Sequence, residues 1–167
     1  MNEAHVHLVV NHLPIVGVLI GFLVLIAGYS IKNRQIKNTS LGIFLFSAVA
    51  SAAAFYSGEG AADVVEHLSG KSETLMHAHE EYAELFFAMT LILGGASVLT
   101  AFFEYMKFPF ASYGFLVVLL LSVTTIVISN YVGTSGGEIT HLEIRKDADV
   151  IKIETKNHDN NDDDDDD

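Results

Sequence analysis

The chain's histidines are the residues whose chemistry stands out. There are eight in 167 residues: His5, His7, His12, His67, His77, His79, His141 and His158. Imidazole is the commonest side-chain ligand of transition metals and also binds haem iron. There is no cysteine, which excludes disulfides, iron–sulfur clusters, thiolate zinc sites, thiol catalysis and covalent c-type haem attachment. Any metal or haem must therefore be held by His, carboxylate, Met or Tyr. Acids accompany the histidines along the chain: Glu3, Glu59, Asp63, Glu66, Glu73, Glu80, Glu81, Glu84, Glu138 and Glu143. Mixed imidazole and carboxylate donors suit Zn, Cu, Fe or Ni. Nothing has the form of a nucleophile elbow or a phosphate-binding loop. An electron carrier or accessory subunit fits these residues better than a stand-alone enzyme.

The elements that must position these groups are apolar. Half of the chain is hydrophobic, 18% is charged, and the mean hydropathy is +0.37, a balance that points to a membrane protein. Four apolar stretches stand out, at 13–31, 41–56, 82–103 and 113–132. A bilayer core of about 30 Å takes roughly 20 helical residues. The second stretch is short, but it is rich in Ala and Ser, which suits a packed helix between two strong spans. All six tyrosines, Tyr29, Tyr56, Tyr82, Tyr105, Tyr113 and Tyr131, fall at span ends, where an amphipathic ring sits at the membrane interface. The expected fold is all-α: a four-helix transmembrane bundle over residues 1–144, followed by an acidic tail over 145–167. Helical spans argue against an outer-membrane barrel.

Charge sets an orientation. Lys32, Arg34 and Lys37 lie between the first two spans and Lys107 between the last two. The positive-inside rule places those loops in the cytoplasm and both termini on the outer, periplasmic side. The first span has no basic leader and no small-residue cleavage site, so it reads as a retained helix. All eight histidines then fall on the outer side, as do the ten acids named above. A merely polar outer rim is the competing explanation of that distribution. The net charge of −12 argues against a nucleic-acid partner. The tail from Arg145 to Asp167 carries ten acids and four bases. Its last stretch, ending in six aspartates, has the composition of a disordered segment. His158 lies there and is assigned to no site.

Spacing refines the cap. His12 stands at the mouth of the first span, before Pro14, which a helix accepts in its first turn. His77, Glu81 and Glu84 share one helical face, while His79 lies about 200° around from His77. One histidine of each His-x-His pair, His5/His7 and His77/His79, should therefore face the bundle and the other water. The two pairs are 72 residues apart, and each precedes the first helix of a hairpin. Each second helix carries Tyr-x-Gly, at 56–58 and 131–133, with His67 and His141 some ten residues on. This suggests two hairpins related as parallel repeats. Gly58 and Gly60, and Gly133, Gly136 and Gly137, are expected to end the helices and let the chain turn over the cap. Glu143 is placed to orient a ligating histidine.

The stretches HLPIVG at 12–17, SGEGAADVVEHLSG at 57–70, HAHEEYAE at 77–84 and GGEITHLEI at 136–144 resemble a bacterial family of small four-helix integral membrane proteins described only as a domain of unknown function. The resemblance covers the outer ends of all four helices. It implies a four-helix bundle in a bacterial cytoplasmic (inner) membrane, associated with cytochromes and other redox proteins. It carries over His12, Glu59, His67, His79, Glu80 and His141 as the polar cluster; His5, His7 and His77 lie beside the motifs.

Three functions follow as expectations. In the first, a b-type haem near the outer face is held by imidazoles among His12, His67, His79 and His141, with His12 and His79 as the axial pair. The protein then carries electrons, alone or as a subunit of a respiratory assembly. In the second, a non-haem Zn, Cu or Fe ion is bound by those four histidines with Glu59, Glu80 or Glu138. In the third, the chain is a structural accessory subunit, or a pH sensor, without a cofactor. The expected partners are the lipid bilayer and a cytochrome or respiratory protein at the outer face; an oligomer stays open.

Overall fold

The computed structural model describes residues 3–66 and 73–140. They form five helical segments: α1 Glu3–Val10, α2 Leu13–Ser30, α3 Arg34–Glu66, α4 Glu73–Tyr105 and α5 Ala111–Thr140. Among the described residues there is no strand. α1 and α2 form one helix interrupted at Asn11 and His12, because Pro14 in the first turn of α2 has no N–H to bond back to the preceding turn. Four helical stretches are long and apolar enough to cross a membrane: His5–Ser30, Arg34–Gly58, Thr74–Tyr105 and Ala111–Ile139. The chain is a multi-pass membrane protein of the expected four-helix architecture.

The helices pack in chain order, α2 on α3, α3 on α4 and α4 on α5, and a thinner α2–α5 contact closes the bundle. α3 and α4 have 33 residues each, about 50 Å of helix, so they project well beyond a hydrocarbon core of about 30 Å. The core runs through Val18, Leu25, Leu41, Phe44, Leu93, Phe115 and Val118. Large apolar side chains such as Leu23, Phe46, Leu99, Leu120 and Val127 point outward, as they must where the surrounding medium is hydrocarbon.

The interior is also rich in hydroxyls. Ser47, Ser51, Thr90, Ser97, Thr100, Ser122, Thr125 and Ser129 are all buried. Each donates to a carbonyl three or four residues back on its own helix. Their polarity is thus satisfied locally, and their small size lets neighbouring backbones approach. Gly17 faces Ser47, Gly21 faces the Phe44 ring and Gly94 faces Ala48.

Two of the expected helix ends are displaced. α3 continues through Gly58 and Gly60 to Glu66, and α5 continues through Gly133, Gly136 and Gly137 to Thr140. The glycines do not turn the chain, because the helical ladder runs on through them.

The hairpin repeat is present, with a shifted register. The inward residues Pro14, Val18, Gly21, Leu25 and Gly28 of α2 correspond, 72 residues on, to Phe86, Thr90, Leu93, Ser97 and Thr100 of α4. Those of α3, namely Ser40, Phe44, Ser47 and Ser51, correspond 78 residues on to Val118, Ser122, Thr125 and Ser129 of α5. Both hairpin turns are the same Schellman closure. Lys32 and Lys107 sit in the left-handed region at φ 54° and 57°. Asn33 N–H donates to Gly28 O at 2.9 Å, and Phe108 N–H donates to Phe103 O at 3.0 Å.

Candidate functional site

At the end of the bundle away from these turns, one histidine of each His-x-His pair turns inward. His5 and His77 are exposed, while His7 and His79 are half-buried. The helical register explains the choice, since residues two apart lie on nearly opposite faces.

The two inward imidazoles dock in the same way on the two second helices. His7 Nδ1 lies 3.0 Å from Ala54 O on α3, and 3.4 Å from Ser57 Oγ. The edge of its ring rests on Gly58, where a Cβ would stand 3.1 Å from His7 Cε1. His79 Nδ1 lies 3.0 Å from Ser135 Oγ on α5, beside the Val132 carbonyl. Its ring rests on Gly136, where a Cβ would again stand 3.1 Å from Cε1. Ala54, Ser57 and Gly58 match Val132, Ser135 and Gly136 at the 78-residue offset of the second helices, and His7 matches His79 at the 72-residue offset of the first. The glycines are there to admit an imidazole against a helix.

This docking fixes the tautomer. A carbonyl oxygen only accepts, so Nδ1 of His7 carries the proton. Ser135 spends its own hydroxyl proton on Val132 O at 3.1 Å, so it too accepts from His79 Nδ1. In the neutral form of both rings Nε2 then holds the lone pair. That is the form in which a histidine binds a metal, with the other nitrogen anchored on a backbone or hydroxyl acceptor. Beneath them Phe55 stacks on Phe87 with centroids 4.6 Å apart, and Tyr82 on Tyr131 at 5.5 Å. These aromatic contacts tie α3 to α4 and α4 to α5.

The remaining candidates fall differently. His12 is exposed and bonds the neighbouring Asn11 side chain. Glu80 is exposed and pairs with His77 at 3.5 Å. Glu81 and Glu84 are exposed on the same helix, and Glu138 is half-buried near the end of α5. Glu59 lies in α3, but its side chain is outside the described residues, as are His67, His141, Glu143, His158 and the tail over 145–167. Among the described residues, no three His, Asp or Glu side chains converge in a way that would hold a metal ion.

Sequence reasoning gave His7 less weight than His12 and missed Ser57 and Ser135 altogether. The signal was present: Ser-Gly occurs at 57–58 and 135–136, but the more conspicuous Tyr-x-Gly match set the repeat three residues out of register. Comparison with known proteins finds no matching family model, no matching curated protein and no matching solved structure.

Proposed function

We propose that the histidine end of the bundle binds a b-type haem through His7 and His79, and that the protein carries electrons at the membrane surface. The observation that carries this reading is the matched pair of inward imidazoles, one from each hairpin, each with Nδ1 anchored and Nε2 free to ligate. A haem supplies four of its iron's ligands itself, so two histidines complete it. A zinc or copper site needs three or four protein donors. Among the described residues the inward donors number two, which favours haem over a bare ion. Bound there, the haem would supply reversible one-electron exchange. Ala54 O, Ser57, Val132 O and Ser135 would orient the two rings and raise their basicity.

On this reading the histidine end faces the outer side of a bacterial inner membrane. The support is Lys32, Arg34, Lys37 and Lys107 at the opposite end, through the positive-inside rule, together with the family resemblance of the cap motifs. A cytochrome or respiratory protein is the partner in electron exchange. The test is the absorption spectrum of the full-length protein purified in mild detergent from haem-replete cells, oxidised and then reduced with dithionite. A Soret band that shifts on reduction is expected, with sharpened visible bands, lost in H7A and in H79A and retained in H12A. A featureless spectrum overturns the haem reading. Elemental analysis of the same sample then separates a non-haem metal protein from a structural subunit.

A further inference from the structure

The turn end of the bundle carries a basic cavity, far along the chain from the histidines. Between the two hairpin turns lies an open cavity of about 750 Å³, whose walls include Lys32, Arg34, Lys37, Glu104, Lys107 and Ser112. That volume is in the range of small-molecule pockets, about 300–1,000 Å³. Four cations face one carboxylate, in a chain whose net charge is −12. Glu104 is committed to Arg34, with which it forms an ion pair. Lys37 is held over the rings of Tyr29 and Phe115 at 5.0 and 4.8 Å. Lys32 and Lys107 are exposed and spend their charge on no carboxylate among the described residues.

Their backbones add an independent argument. Both occupy left-handed positions, where glycine is the default because a Cβ crowds the following carbonyl oxygen. Both hairpins nevertheless place lysine there. α3 and α5 also begin beside the cavity, at Arg34 and Ala111, and bring the positive ends of two helix dipoles to it. The walls combine this charge with an apolar rim at the membrane boundary, where Tyr105 is 84% exposed.

We infer that this cavity binds a phosphate-bearing anion, with the phosphate between Lys32 and Lys107. An anionic phospholipid headgroup and a free phosphate share that chemistry. The exposed apolar faces beside the cavity favour the lipid, whose acyl chains would lie along α4 and α5.

The test uses the full-length protein in detergent micelles, titrated with short-chain phosphatidylglycerol, with phosphatidylcholine of the same chain length, and with inorganic phosphate, by calorimetry. The informative variant is K32N/K107N, because asparagine tolerates the left-handed backbone and so keeps both turns. Each lysine at a membrane surface is worth about fivefold in binding an anionic lipid, so the double variant should weaken phosphatidylglycerol by about thirtyfold. E104Q, which releases Arg34 to the cavity, should tighten it. Saturable binding of phosphatidylglycerol with phosphate inert identifies the lipid. Binding of both, with phosphate competing, supports the site and identifies the phosphate group alone as the determinant. Equal binding of phosphatidylcholine and phosphatidylglycerol, or a K32N/K107N variant that binds like the parent, overturns the inference. The lysines would then serve only to orient the chain in the membrane.

Discussion

Gly133 and Gly136 lie three residues apart in the last turns of α5, and they isolate the histidine docking energetically. A Cβ at Gly133 meets nothing within 4 Å, whereas at Gly136 it stands 3.1 Å from His79 Cε1 and 3.4 Å from Nδ1. Replacing glycine by alanine inside a helix stabilises it by about 0.5–1 kcal/mol, and G133A should show that gain in full. In G136A the imidazole must retreat by a few tenths of an ångström to restore ordinary contact. That movement loosens the 3.0 Å bond to Ser135, a bond worth about 1 kcal/mol. G136A should therefore fall about 1 kcal/mol or more below G133A, at or under the parent's stability. The assay is reversible unfolding in mixed micelles as the denaturing detergent fraction rises, followed by circular dichroism. The cycle is completed in an H79A background, where G136A should recover the gain of G133A. If the two alanines are equally stabilising while His79 is present, the ring does not rest on α5. His79 Nδ1 would then have no fixed acceptor on α5.

Two other substitutions probe the packing. G28A places a Cβ 2.7 Å from Lys37 Cγ and 2.9 Å from the Lys37 backbone nitrogen, and backbone cannot step aside. It should cost about 1–3 kcal/mol as overpacking in the same unfolding assay, while G42A, which meets nothing within 4 Å, should cost none. R34A should destabilise by about 1–3 kcal/mol, because the Glu104 side chain is only 9% exposed and loses its counter-charge. E104Q, which buries no lone charge, should cost less, and the reverse order in melting temperature would show that the pair is merely superficial.

The architecture was legible because it rests on a strong signal: uncharged stretches near 20 residues allow few alternatives to a membrane bundle. The helix ends were harder to read. Gly58 and Gly136 look like terminators to any local rule, since glycine weakens helices, yet here the helix continues and the missing side chain serves a neighbour. That purpose exists only once α1 lies against α3 and α4 against α5. That one histidine of each His-x-His pair turns inward was legible from helical geometry alone; which one was not. Nor was the docking of His7 on α3, because Pro14 and the apolar run behind it made His12 the more conspicuous histidine. His12 follows a helix interruption and looks outward. The docking acceptors, Ala54 O and Ser135 Oγ, include a backbone atom that residue identity does not reveal.

The break at Asn11 and His12 makes the two halves mechanically unequal. His79 is part of a continuous 33-residue rod, so moving it means moving α4 against both of its neighbours. His7 rides on eight residues joined to the membrane helix by a short turn and held against α3. Lifting that segment breaks only its own seat, a local opening well below global unfolding in free energy. The pair thus has one fixed jaw and one compliant jaw. Any change in spacing between the imidazoles is absorbed on the His7 side and leaves α2 to α5 undisturbed.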